Sequence, residues 1–231
     1  MPTTTTDSAY ELRATFYFDL ASPLAYLAAE RVLHTMPIAT EWQPVLAREL
    51  PGAESFEAFR CREEADIFRA EVRRRAAELG LQELRWPEPF PFDSDLAMRT
   101  ATYAKSIGRV VAFAQAAFRQ AFAGGHSLNQ VDHMLIAAAA CEMHPTAVLK
   151  GMELRSVGEQ LSTATAAAAG LGVRDVPAVR VGVRVFHGER SLDEADAYAR
   201  AVGPSEHTPR TQDAARGARD ISANAAVRRT Q

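Results

Sequence analysis

The chain has 231 residues, of which 47% are hydrophobic and 24% charged, and its formal net charge is −3. This balance excludes a wholly disordered or collagen-like chain, and a charge so near zero argues against a domain that mainly binds nucleic acid. No apolar run approaches the roughly 18–20 residues that a membrane span requires, and the N-terminus lacks the basic and apolar regions of a signal peptide. We therefore expect a soluble cytoplasmic protein.

The two ends of the chain differ from its middle. Residues 204–231 contain no aromatic residue and few large aliphatic residues, so they cannot bury enough surface to offset the entropy lost on ordering. We predict a disordered tail there and a flexible N-terminus over residues 1–11.

A strand, a helix and a second strand are predicted near the start. Ala14–Phe18 is apolar at nearly every position, as is typical of a strand covered on both faces. Ser22 and Pro23 then begin a helix predicted to run to about His34, because serine is a preferred N-cap and proline is tolerated at the first helical position. A second strand is predicted over Ile38–Val45, and this βαβ unit implies parallel pairing.

Helical patterns dominate residues 51–160. Apolar residues recur at helical spacing over Phe56–Leu79. A proline-rich break, Trp86–Phe92, separates this helix from two more, over Leu96–Ile107 and Arg109–Phe122. The segment shows no strand pattern and is predicted to be all-helical.

Strand patterns return near the end of the chain. Pro177–Val181 and Arg184–His187 indicate a hairpin, since Gly182 at the first turn position suits a type II′ turn. Ser191 is predicted to cap a last helix over Leu192–Ala201.

Together these patterns predict an α/β chain. Residues 12–50 and 161–203 have the element order of a thioredoxin-like domain, and residues 51–160 form a large all-helical insertion between its halves.

Two short segments are candidates for a site. Ser22 lies where the first strand ends and the first helix begins, which is where open α/β sheets bind ligands and where an anion such as a thiolate is favoured. Ser-Pro is equally a good helix cap, so both interpretations stay open. Pro177 begins a strand, where it need not donate a hydrogen bond. We predict that the Val176–Pro177 bond is cis, which would leave the Val176 backbone free to pair with an extended peptide.

Several segments carry a family resemblance, namely FYFDLASPLAYLAAERV, the Trp42-Gln-Pro-Val run, and DVPAVRVG followed by FHGERSLDEA. They resemble the DsbA-like thioredoxin superfamily, and within it the branch of 2-hydroxychromene-2-carboxylate isomerases and kappa-class glutathione transferases. The resemblance covers about residues 13–202. Its most specific part is the D-x-x-S-P-x-x-Y-L run at Asp19–Leu27.

The resemblance implies a role for each matching residue. Ser22 takes the place of a redox cysteine and holds or activates the thiol of glutathione, or of another low-molecular-weight thiol. The residues that would bind this cofactor are Ser22, Pro23, Val176, Pro177, Glu189 and Arg190, the last two at its γ-glutamyl end.

The function implied is a glutathione-dependent isomerase of a small aromatic carboxylate, acting as a homodimer. The alternatives are a kappa-type glutathione transferase and a thioredoxin-fold protein that binds a peptide or partner without chemistry. Dithiol exchange is disfavoured, because Ser22 and Ala25 stand in the two cysteine positions.

Other residues carry weaker expectations. Cys61 and Cys141 lie far apart and the six histidines are dispersed, so we expect no metal site. Trp42, Trp86 and Phe90 are candidates for an aromatic substrate pocket.

Charge and apolar surface suggest two further contacts. Arg73–Arg75 would either attract a substrate carboxylate or form a solvated helix face. The alanine-rich segments Ala112–Phe122 and Ile136–Ala140 offer apolar surface for a homodimer.

Overall fold

The computed structural model describes residues 12–53 and 61–202. The predicted flexible N-terminus and disordered tail lie outside the described residues. The strands are β1 (Ala14–Phe18), β2 (Thr40–Pro44), β3 (Ala178–Val181) and β4 (Arg184–His187). The helices are α1 (Pro23–Ala29), α2 (Val32–Thr35), α3 (Arg62–Glu78), α4 (Asp95–Ser106), α5 (Val110–Phe122), α6 (Val131–Ala139), α7 (Pro145–Glu153), α8 (Arg155–Gly170) and α9 (Ser191–Val202).

The strands form one mixed sheet in the order β2-β1-β3-β4. β1 pairs parallel with β2 and antiparallel with β3, and β3 and β4 form the predicted hairpin. Its turn has Gly182 at φ +59°, and Val183 has no positive φ, as a type II′ turn requires. The thioredoxin-like fold is therefore confirmed. No strand occurs in the described part of residues 51–160.

β1 is buried along its whole length, as its apolar sequence predicts. Phe16 and Phe18 pack against Trp42 of β2, with ring centroids 5.0 and 5.8 Å apart. β2 is shorter than predicted at both ends, because its ladder starts where Thr40 meets Ala14, the first residue of β1, and ends at Pro44 opposite Phe18.

Two helix predictions are wrong. The first helix ends at Ala29 instead of near His34. The helical i→i−4 pattern changes there to an i→i−3 hydrogen bond, from the N–H of Arg31 to the carbonyl of Ala28. The Arg31 guanidinium is paired with Asp193 of α9. Ser191 begins α9 but does not cap it, since its buried hydroxyl has no hydrogen-bond partner in the part of the chain that the structure describes.

The helical insertion shares its core with the sheet domain. Phe118 and Phe122 of α5 contact Tyr26 of α1, with centroids 6.2 and 5.6 Å apart, and α8 packs against both β2 and α4. The apolar face of α5, which we expected to support a dimer, is thus buried inside the chain, while Ile136 of α6 is 55% exposed. The homodimer stays a prediction. Among the described helices, none is long and apolar enough to cross a membrane.

The packing of α7 against α4 can be tested at Gly151. A Cβ added there would lie 2.5 Å from the ring of Tyr103, so Gly151→Ala should destabilise the fold by about 1–3 kcal/mol through overpacking. Gly170→Ala in α8 is the control, because nothing lies within 4 Å of its added Cβ. It should be neutral or stabilise the helix by up to about 1 kcal/mol. Urea unfolding measures both, and equal changes in the two variants would contradict this packing.

Candidate functional site

The sheet topology brings the two segments that were predicted to form the site to the same end of the sheet. β1 ends at Phe18 and β3 begins at Ala178, and these strands are antiparallel with Tyr17 opposite Ala178. The turn that leads to Ser22 and the residue Pro177 therefore lie at the same end of the sheet. The Val176–Pro177 peptide bond is cis, as predicted.

Ser22 is built into the start of α1. Its backbone is extended, with φ −89° and ψ 113°, and its Oγ accepts a hydrogen bond from the N–H of Ala25 at 3.1 Å. Its own N–H bonds the carbonyl of Asp19 at 3.0 Å. The residue is 2% exposed. Ser22 is therefore a helix cap, and its hydroxyl proton has no acceptor among the described residues.

Asp19, which begins the Asp19–Leu27 motif but was given no role from the sequence, organises this turn. Its Oδ1 accepts the N–H of Ala21 at 2.9 Å and its Oδ2 accepts the N–H of Ala47 at 3.0 Å. Burial raises the pKa of the Asp19 carboxyl, although these bonds, the Ser94 hydroxyl and the charge of Arg48 oppose that rise. An acid between Phe18 and Leu20, in an otherwise apolar run, was the available signal.

A cavity of about 340 Å³ opens beside this turn. Its lining comprises Asp19, Ala21, Arg48, Ala53, Pro91, Phe92, Asp93 and Ser94. Arg48 binds Asp93 at 2.7 Å and Asp95 at 3.0 Å, so its positive charge is already matched. The cavity therefore has partly apolar walls and offers no unpaired cation.

The predicted cofactor contacts lie near the cis proline, with one correction. The N–H of Gly188 bonds the carbonyl of Pro177 at 2.9 Å, which ties the loop of Glu189 and Arg190 to this edge. Contrary to the prediction, the N–H of Val176 is not free, because it donates to the carboxylate of Asp175 at 2.7 Å.

The two charged residues of that loop, Glu189 and Arg190, differ in how closely they are paired with other charges. The Glu189 carboxylate is bound by Arg75 of α3 at 2.8 Å. Arg190 is 78% exposed and lies 3.8 Å from Glu194. Of the two, Arg190 is the one open to a ligand.

The three residues predicted for an aromatic substrate pocket do not line the cavity beside Ala21. Trp42 is 1% exposed and packed in the core, so its assignment to the pocket is wrong. Trp86 and Phe90 pack against Phe122, and the cavity beside Ala21 is lined instead by the next residues of the proline-rich segment.

The sulfur atoms lie on other elements. Cys61 precedes α3 and is exposed, and Cys141 follows α6 and is buried. Burial also raises the pKa of the Cys141 thiol. Since Ser22 and Ala25 occupy the start of α1, the chain has no thiol pair at this position.

The model of the DSBA-like thioredoxin domain family matches residues 14–199. The chain belongs to this family. No curated protein matches it.

Several solved structures share the fold of this chain. A 2-hydroxychromene-2-carboxylate isomerase is similar with a TM-score of 0.71 at 18% identity, over 82% of this chain and 95% of that one. A probable DsbA oxidoreductase from Streptomyces coelicolor has a TM-score of 0.69 at 19% identity, covering 84% and 91%. A cytosolic disulfide reductase from Pseudomonas aeruginosa has a TM-score of 0.56 at 14% identity, covering 82% and 98%. At these identities the likeness concerns the fold alone.

The raised pKa of the Asp19 carboxyl predicts how the stability of the fold depends on pH. Because its pKa in the folded chain lies above its ordinary value of 3.8, its contribution to stability is full below the unfolded pKa and is lost as pH rises through the folded pKa. Asp19→Asn does not titrate. The stability advantage of the parent over this variant, measured by urea unfolding, should therefore shrink as pH rises from about 3 to about 7. An advantage that grows over this range would contradict the raised pKa.

Proposed function

We propose that this protein is a glutathione-dependent isomerase of an aromatic carboxylate that performs no dithiol exchange. The observation that carries the proposal is the serine at the N-cap of α1, which lies at the same end of the sheet as the cis Pro177. The family resemblance implies that this serine takes the place of a redox cysteine. Ala25 stands where a dithiol would have its second sulfur, and the proposal therefore takes the reactive thiol from a cofactor.

Ser22 has the hydrogen-bonding capacity that this role needs. A hydroxyl both accepts and donates. Its oxygen accepts from Ala25, so its proton is available to a bound thiolate. A thiol would approach from the cavity next to Ala21. α1 has only seven residues, and the proposal therefore places the main stabilisation on the hydroxyl and a smaller part on the N–H groups of the first turn.

The proposed reaction is reversible and leaves the cofactor unchanged. The thiolate adds to an electron-poor double bond of the substrate, a carbon–sulfur bond forms, and the π electrons move to the conjugated carbonyl oxygen. Ring opening or rotation about the resulting single bond follows. The electrons then return, the carbon–sulfur bond breaks, and the thiolate is released with no net oxidation.

The loop after β4 supports binding of the cofactor's γ-glutamyl end. Arg190 is exposed and reaches only Glu194 at a long distance, so it can bind a carboxylate. Glu189 is shared with Arg75, and an amine bound there would join this existing ion pair.

A second candidate function is the binding of a peptide or partner at the cis proline without chemistry. The burial of Ser22 and the cap that it forms favour this candidate, because a residue that only caps a helix needs no ligand.

A kappa-type transferase is distinguished from an isomerase by the amount of thiol that each turnover consumes. Free thiol is consumed one for one by a transferase and is conserved by an isomerase.

Ser22→Ala distinguishes a catalytic serine from a cap. Loss of the cap should cost about 0.5–2 kcal/mol of stability, whereas loss of the donor should lower turnover by about 10²–10³. Ser22→Thr is the matched control, since it keeps a hydroxyl that both caps and donates. The measurements are thermal unfolding and the glutathione-dependent isomerisation of 2-hydroxychromene-2-carboxylate. If the alanine variant turned over as the parent does, Ser22 would be a cap and the binding function would be preferred.

A further inference from the structure

An arginine and two aromatic residues form a cluster between α3 and the proline-rich segment. Trp86 and Phe90 meet edge to face, with ring centroids 4.8 Å apart. The guanidinium carbon of Arg69 lies 5.5 Å from the centre of the Trp86 ring and 6.0 Å from that of Phe90. We call Arg69, Trp86 and Phe90 the arginine–aromatic cluster.

No carboxylate of the described residues matches the charge of Arg69. No carboxylate among the described residues lies within 4.0 Å of it, and its Nε is buried without a hydrogen-bond partner. Two other arginines of α3 differ, because Arg74 is paired with Glu71 and Glu78, and Arg75 is paired with Glu189. Contact with the aromatic faces stabilises the cation but satisfies none of its five N–H donors.

Trp86 adds a second donor of the same kind. Its Nε1–H is buried and also has no partner, and an indole nitrogen only donates. Buried donors are rarely left unpaired in native proteins. Two of them in one cluster, with no acceptor from the described residues, call for a ligand that supplies acceptor oxygens.

We infer that the arginine–aromatic cluster is a binding site for the carboxylate of an aromatic acid. The carboxylate accepts hydrogen bonds from the Arg69 guanidinium and from Trp86 Nε1, and the arene lies against Phe90. A planar guanidinium matches the two oxygens of a carboxylate, and a single arginine suits one negative charge better than a phosphate. This inference rests on the proposed function, for which it supplies the anchor of the substrate.

The position of the cluster fits such an anchor. The same proline-rich segment provides Trp86 and Phe90 to the cluster and Pro91 and Phe92 to the cavity beside Ala21. That cavity is unsuited to the carboxylate itself, because its lining includes two aspartates and its arginine is already paired. If Arg69 holds the carboxylate of a substrate, the rest of the substrate would lie along the proline-rich segment, toward the cavity.

Calorimetric titration with benzoate, in the absence of any thiol, tests the site independently of Ser22. The parent should bind benzoate more tightly than benzamide, which has nearly the same shape but no charge. Arg69→Met should weaken benzoate binding by about tenfold or more, because it removes the charged partner of a buried carboxylate. Arg73→Met is the matched control, since Arg73 is an exposed residue one turn further along α3, and it should bind as the parent does.

A second variant keeps the test decisive if Arg69→Met folds poorly. Trp86→Phe retains an aromatic ring and removes only the N–H donor, and it should weaken benzoate binding but not benzamide binding. Parent-like benzoate binding by both Arg69→Met and Trp86→Phe would overturn the inference, as would equal weakening by Arg73→Met. Ser22→Ala should bind benzoate normally, so a failed isomerase assay and a failed anchor give different results.

Discussion

The carboxyl of Asp19 is the constraint on which the candidate site depends. It holds the N–H groups of Ala21 and Ala47 and receives the hydroxyl of Ser94. It thereby joins the turn after β1, the segment after β2 and the start of α4. Burying a carboxyl is costly unless its oxygens are hydrogen-bonded, so the three contacts are needed together. The turn that they fix is the one that places Ser22 at the start of α1.

Aromatic packing connects this turn to the helical layer. Tyr26, one turn after Ser22, stacks on Phe122 of α5, and Phe122 in turn contacts Trp86 and Phe90. The insertion is therefore not an appendage of the sheet domain, because one continuous core lies under both. The proposed thiol site lies next to Tyr26, at one end of this series of aromatic contacts, and the proposed carboxylate anchor lies at Trp86 and Phe90, at the other end. The proline-rich segment connects the anchor with the cavity.

Local patterns in the sequence were sufficient for most of the fold. The apolar run of β1, the Ser22–Pro23 cap and the Gly182 turn are each encoded within a few residues, and the structure has them where they were predicted. The end of α1 was missed because it depends on a single backbone contact, in which the N–H of Arg31 bonds the carbonyl of Ala28 and leaves the helical i→i−4 pattern. Such contacts have no signature in local periodicity.

The site was predicted less completely, because its contacts join segments that lie far apart in the chain. Ser22 and the cis Pro177 follow from short motifs, whereas the burial of Asp19 depends on Ala47 and Ser94 from distant segments. The Arg73–Arg75 run was considered for a substrate carboxylate, yet Arg74 and Arg75 are paired with carboxylates, whereas the partly buried Arg69 is paired with no carboxylate of the described residues. Only the fold shows which carboxylates reach which arginines on α3.

The measurement that tests the central claim most directly is the pKa of glutathione's thiol when it is bound to this protein. Thiolate absorbance in the ultraviolet can be followed against pH for the complexes of the parent and of Ser22→Ala. The account predicts that the parent lowers the thiol pKa well below the value of about 8.5 typical of a free thiol, and that the variant loses most of this shift. A thiol that titrates in the parent's complex as it does in free solution would contradict the account.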